Sequence, residues 1–262
     1  MYSYAWYFLI FSFLGWCLEV GFHAIKSGGF VNRGFISGPL CPVYGVSVSA
    51  ASLILGSIEN TLLLFFASAF VATVVELAVG FLMDKLFKSR WWDYSKQRFN
   101  LFGYVCPKFS ILWGVLCTAA LKSLHCLDRF VSLMHHPSFY TLTVLIFALI
   151  IIDAVASSVR VFKFNKKLAR LDKIASEVSA TLSVGSDLVG KGVCTGVTKL
   201  YSEYEKALGQ AASLGARIIN AFPSFRSKLY SEQINVIKKH LVNVDKNSGK
   251  GQNADKNPRN DN

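Results

Sequence analysis

A chain of 262 residues that is 52% hydrophobic, only 17% charged and has a mean hydropathy of +0.38 falls in the membrane class, which excludes an ordinary soluble domain and a wholly disordered chain. Its net charge of +12 is uneven: residues 1–159 hold 10 Lys/Arg against 7 Asp/Glu, whereas residues 160–240 hold 14 against 6. Basicity placed just after an apolar region points to the anionic face of a membrane lipid leaflet as partner, and not to nucleic acid.

Five apolar stretches follow in chain order, at about 5–25, 39–57, 61–83, 107–125 and 138–160. Each approaches the roughly 20 residues that cross a hydrocarbon core. The first lacks a basic n-region and a small-x-small cleavage site, so it reads as a retained span and not a signal peptide. It carries Glu19. Between the first and second lies Gly28–Pro39, with four glycines around Asn32 and Arg33 and with Pro39 and Pro42 flanking Cys41. Such a segment predicts a re-entrant or tightly packed loop, because irregular backbone at membrane depth survives only when buried or lining a cavity. A plain connecting loop is the alternative. The second and third stretches are separated by Ile58-Glu59-Asn60 alone and predict a tight helical hairpin. The third contains Glu76.

After it comes Arg90-Trp91-Trp92-Asp93-Tyr94-Ser95, followed by Asn100 and Gly103. Trp and Tyr at this position fit an aromatic belt. Interleaved Arg, Asp and Ser fit a lipid-headgroup or amphiphile pocket. Ser95 as a nucleophile would need a base, and His23 is the nearest candidate. The fifth stretch holds Asp153. Residues 1–160 therefore predict a polytopic, all-α membrane bundle of about five helices. Residues 161–242 read as a basic amphipathic helical segment, with Leu168, Leu171, Ala175, Val178 and Leu182 at three- and four-residue spacing. Glycines weaken its helix propensity, so it needs a partner helix or the bilayer interface to lie on. Pro223 ends it, a short helix follows near 230–242, and residues 243–262 read as a disordered tail. No internal repeat is evident.

The Lys/Arg balance gives the orientation. Lys26 and Arg33, then Lys85, Lys88, Arg90, Lys96 and Arg98, then Arg160 to Arg170, fall on one side of a five-span chain. The positive-inside rule places that side in the cytoplasm, with the N-terminus outside and the C-terminus inside. Glu19, Glu76 and Asp153 then lie in the cytoplasmic halves of their spans. Carboxylates there cost up to about 3 kcal/mol each unless they face the bundle interior with partners. They predict a polar cluster with Arg33 or Arg90 opening toward the cytoplasm; simple helix pinning is the alternative. Six cysteines show no C-x-x-C, and no metal site, cofactor or nucleotide-binding glycine loop is expected.

The combination Leu14-Gly15-Trp16-Cys17-Leu18-Glu19, Asn32-Arg33-Gly34-Phe35, Gly38-Pro39-Leu40-Cys41-Pro42-Val43-Tyr44-Gly45, Arg90-Trp91-Trp92-Asp93-Tyr94-Ser95, Phe99-Asn100 and Gly103 resembles the bacterial membrane family named "putative ABC-transporter type IV", also called a putative ABC transporter permease. The resemblance covers residues 5–160. It implies a small helical membrane bundle acting as a transport component, with a separate ATPase subunit and a homo-oligomer as partners. The alternative is a membrane enzyme or binding protein for lipid or amphiphile headgroups. The resemblance marks Glu19, Asn32, Arg33, Arg90 to Ser95 and Asn100 as residues to examine, and Glu76 and Asp153 join them from the residues themselves.

Overall fold

The structure, a computed structural model, describes residues 2–185 and 191–254, with side chains described for 2–181 and 198–244. Helices make up nearly all of it: α1 (Tyr2–Ser27), α2 (Pro42–Leu55), α3 (Thr61–Phe87), α4 (Pro107–Leu133), α5 (Pro137–Gly185), α6 (Lys191–Ala221) and α7 (Ser231–Ala254). The local chemistry of their ends is legible. Asn60 starts α3 by accepting the Leu62 and Leu63 amides, and α3 closes at Lys88 in the left-handed region with its amide on the Asp84 carbonyl. Both α2 and α4 start from an extended Cys followed by Pro, which needs no amide partner in a first turn.

By contacts the chain divides into two units, residues 1–159 with 221–225, and residues 160–220 with 226–262. In the first unit α1, α3, α4 and the start of α5 are long and apolar enough to cross a membrane. The 14 residues of α2 span only about 21 Å, short of a hydrocarbon core about 30 Å thick. The stretch expected at 39–57 is thus a shorter helix, because the chain before it turns inward. The Cys41 amide donates to the Ser12 carbonyl at 2.9 Å, in the middle of α1, and Ser49 Oγ reaches the Tyr4 carbonyl at 3.3 Å. Those contacts set α1 and α2 antiparallel with α2 beginning at mid-depth. A Cβ on Gly45 would lie 2.2 Å from Ser12 Oγ and 2.4 Å from the Phe8 carbonyl, so this approach requires glycine.

Helices α3 and α4 also pair antiparallel, with Gly114 against Ala69 and Lys122 Nζ 2.6 Å from Thr61 Oγ1. Counting back from Gly114 places Pro107 near the level of Glu76, about 16 Å short of the end of α3 at 1.5 Å per residue. Helix α5 runs parallel to α1, joined by Tyr2 to Thr143 at 3.0 Å and by stacked Phe8 and Phe147. Tyr7, Phe11, Val48, Ala51, Leu55, Leu64, Cys117, Leu121 and Val131 form the core at the end away from the loops. Leu53, Phe66, Phe70, Val144, Leu149 and Ile151 remain exposed, as suits a bundle whose solvent is hydrocarbon.

In the second unit the amphipathic segment finds helical partners. Phe164, Leu168 and Leu171 on the extension of α5 are fully buried, as are Ala211 of α6 and Ile237 of α7. Lys167 bonds Gln210 and Gln233 bonds Asp172, each at 2.7 Å, tying α5 to α6 and to α7. A partner helix, one of the two surfaces the sequence left open, therefore covers the apolar stripe. Helix α7 continues past residue 243 to Ala254, whereas a disordered tail was expected from 243. The spacing Ile234, Ile237, Leu241, Val244 carries the amphipathic pattern through that point. Residues 186–190, and 255–262 of the expected tail, lie outside the described residues.

Candidate functional site

Two connections re-enter the first unit from the same end: loop L1 (28–41) and loop L2 (88–106). Each follows a long helix that holds a buried or half-buried carboxylate, and each ends in Cys-Pro at the start of a helix that begins at mid-depth. Cys41-Pro42-Val43-Tyr44 and Cys106-Pro107-Lys108-Phe109 occupy equivalent places in α1–L1–α2 and α3–L2–α4. The sequence showed no repeat because little beyond Cys-Pro and an aromatic is shared.

In the first half, Arg33 Nε and Nη2 both lie 3.4 Å from Glu19 Oε2. The other Glu19 oxygen accepts from Tyr44 Oη at 2.8 Å. Arg33 also donates to the Ala221 carbonyl, and its guanidinium sits 5.7 Å over the Phe222 ring. Both partners of the ion pair are half-buried, so solvent screens it only in part. Asn32 shapes the loop: its Oδ1 accepts from the Trp16 indole and from the Gly34 amide, both at 2.9 Å, and its Nδ2 donates to the Ser37 carbonyl at 2.7 Å. Asp153 on α5 serves the same loop. Its Oδ2 accepts the Gly38 amide at 2.8 Å and its Oδ1 faces Ser157 at 3.4 Å, so it pins the inner turn of L1.

The second half is built differently. Arg90 is held by Ser95 Oγ at 3.3 Å, Asp93 Oδ1 at 3.5 Å and Asp84 Oδ2 at 3.8 Å, with its guanidinium 5.1 Å over the Tyr104 ring. Ser95 donates to Asp93, and Tyr104 donates to the deeply buried Asp84. Asn100 closes the loop by donating to the Ser95 and Gln97 carbonyls and accepting the Gly103 amide. Gly103 has φ +75°, and a Cβ there would meet Ser95 Oγ at 2.5 Å and Arg90 Nη1 at 2.7 Å. The Arg90–Asp93–Ser95 group therefore acts as a clamp on the loop. No histidine contacts Ser95 among the described bonds, and its hydroxyl is spent on Asp93.

The aromatic residues of L2 separate. Trp91 is buried edge-on against Phe35, Phe87, Phe222 and Phe225, which takes it away from the belt position expected of it. Trp92 donates to the Tyr104 carbonyl at 2.9 Å. Tyr94 turns inward, stacks on Phe109 at 4.7 Å and donates to Glu76 Oε1 at 3.3 Å. Trp113 on α4 has its indole turned to the same carboxyl and packs edge-on to Tyr44 at 5.3 Å. Glu19 and Glu76 thus face one interior through Tyr44, Trp113 and Tyr94, while Asp153 serves L1.

Sequence reasoning missed Asp84, Tyr44, Tyr104 and Trp113. Asp84 had a signal, an acid between Phe81-Leu82-Met83 and Leu86-Phe87. Tyr44 stood only in the motif that carries the resemblance, and Tyr104 and Trp113 had no signal, since a Tyr or Trp beside an apolar run looks like core. Among the described residues no group of three or more His, Cys, Asp or Glu is placed to hold a metal ion, and Cys17, Cys41, Cys106, Cys117 and Cys126 are free thiols.

A family model described as "Putative ABC-transporter type IV" matches residues 6–158, more than half of the chain. The chain belongs to that family. The match begins in α1, ends in α5 and takes in both re-entrant loops; α6 and α7 lie beyond it. With four helices of spanning length, this member is a multi-pass membrane protein of transport type. No curated protein and no solved structure matches the chain.

Proposed function

We propose that the chain is the membrane-spanning subunit of an ABC-type transport system, in which the interior between L1 and L2 forms part of the substrate path. The observation that carries this reading is the Arg33–Glu19 pair beside Tyr44, placed on a loop that dips to the middle of α1. Irregular backbone at such depth survives only where it is buried in protein or lines a cavity, and discontinuous helices that begin at mid-depth are a recurrent way to build a transport path. Glu19, Arg33 and Glu76 would face the path. Asp153 and Asn32 would hold the shape of L1, and Arg90, Asp93, Ser95 and Asn100 that of L2.

An ATPase must then come from a separate subunit, since the sequence has no phosphate-binding glycine loop. Five helices, one of them short, are too few to enclose a path, so the working unit is a homo-oligomer. On this reading L1, L2 and the C-terminus face the cytoplasm and the N-terminus lies outside, the orientation the positive-inside rule favours.

The test is affinity purification of the full chain from its native membrane, followed by ATP hydrolysis in proteoliposomes. A co-purifying ATPase whose turnover falls at least several-fold with Arg33→Ala in the membrane subunit supports the reading. Absence of any nucleotide-hydrolysing partner counts against it. Cysteine labelling in intact cells checks the orientation: positions 33 and 95 should resist a membrane-impermeant reagent applied from outside.

A further inference from the structure

We propose that Glu76 is the binding site for a small monovalent cation, the proton included, taken up at mid-depth in the bundle. Glu76 on α3 is buried, has no Lys, Arg or His among the described residues in ion-pair contact, and keeps one oxygen without a hydrogen-bond partner. Glu19 has Arg33 and Tyr44, Asp93 has Arg90 and Ser95, and Asp153 has the Gly38 amide and Ser157. Asp84 has Arg90 and Tyr104. Glu76 is 7% exposed; its Oε1 accepts from Tyr94, and its Oε2 is buried with no hydrogen-bond partner. Both nearby guanidiniums are committed, Arg33 to Glu19 and Arg90 to Asp84 and Asp93.

A carboxyl group this deep, with one oxygen orphaned, is costly to keep charged and is stabilised by an arriving positive charge. Its surroundings suit one. Tyr94 from L2 hydrogen-bonds the carboxyl, and Trp113 from α4 has its indole turned to it. Glu19 from α1 and Cys106 at the start of α4 face Tyr94, and Tyr44 from α2 faces both Glu19 and Tyr94. One carboxylate with phenol oxygens and ring faces fits a single positive charge, whereas a divalent ion asks for six or more oxygens. The inference deepens the transport reading by naming what the interior binds besides substrate, and its test does not require transport.

Trp113 is the reporter, because its indole lies beside the carboxyl that would bind the cation. The purified full chain in nanodiscs is titrated from about pH 4 to about pH 9, the range that protein carboxyls cover, and then with Na⁺ and K⁺ at constant ionic strength. A saturable change in tryptophan emission is expected in one series or both, lost in Trp113→Phe and in Glu76→Gln. Tyr94→Phe, which removes the hydroxyl donor, should move the midpoint. A response to pH alone identifies the proton, and a response to salt identifies the metal ion. Emission flat in both series, or a change that persists in Glu76→Gln, overturns the proposal. If Glu76→Gln does not fold, an unmoved midpoint in Tyr94→Phe overturns it instead. A missing ATPase partner would sink the transport reading and leave this titration untouched.

Discussion

The hairpins α1–L1–α2 and α3–L2–α4 share a plan and differ in where they put their arginine. Arg33 reaches inward to the carboxylate of its own helix, so Glu19 is compensated at depth. Arg90 is caught by Asp84, Asp93 and Ser95 nearer the loop and never reaches Glu76. The same three elements thus produce one closed ion pair and one open acid. The lesson concerns competition: an arginine on a re-entrant loop pairs with the first well-placed acid, and α3 supplies an extra one at position 84 that α1 does not.

That contrast can be broken most strongly at Arg33. Arg33→Ala strands Glu19 in a half-buried setting and should cost about 2–4 kcal/mol, between the values for exposed and fully buried pairs. Thermal unfolding of the detergent-solubilised protein reads this, and Arg33→Ala with Glu19→Gln should recover part of the loss. Glu76→Gln, by contrast, removes no ion pair and should leave the unfolding temperature unchanged or raised. An equal loss from Glu19→Gln and Glu76→Gln would contradict the asymmetry.

Next in size is Gly103→Ala. The added methyl meets Ser95 and Arg90 at a residue with φ +75°, and the strain together with the displaced clamp should cost about 1–3 kcal/mol. Faster proteolysis within residues 88–106 would report the opened loop. Asp153→Asn keeps the shape but weakens the charged acceptor for the Gly38 amide, for a loss of about 1 kcal/mol. Hydrogen exchange at Gly38 should quicken in that variant with little change in α3 or α4. The smallest effect is expected from Ser95→Ala, about 0.5–1 kcal/mol, because Asp93 keeps both Arg90 and the Ser95 amide. A loss of function out of proportion to that change would mean that Ser95 does more than hold the loop.

Legibility differed between the parts of this chain for identifiable reasons. The spans α1, α3 and α5 announced themselves through uninterrupted apolar residues. The glycines and prolines between Gly28 and Pro42 marked L1 as more than a connector, and its return to Ser12 agrees with that reading. Arg33 beside Glu19 was within reach of the sequence, since a lone acid in a span needs a cation. That Arg90 would choose Asp84, that Trp91 would bury itself among Phe35, Phe87, Phe222 and Phe225, and that Tyr44 and Trp113 would join the two acids were not. Each depends on residues far apart in the chain.

By itself, then, the order of residues determined a multi-pass helical membrane protein, its family and the helical character of the segment after residue 160. Hydropathy and spacing suffice for those, because they measure how each stretch partitions between water and hydrocarbon. Only the tertiary structure decided how deep the loops descend, which arginine meets which acid and what covers the apolar stripe of α6. Those outcomes are set by which groups meet across helices, and local composition carries no record of that.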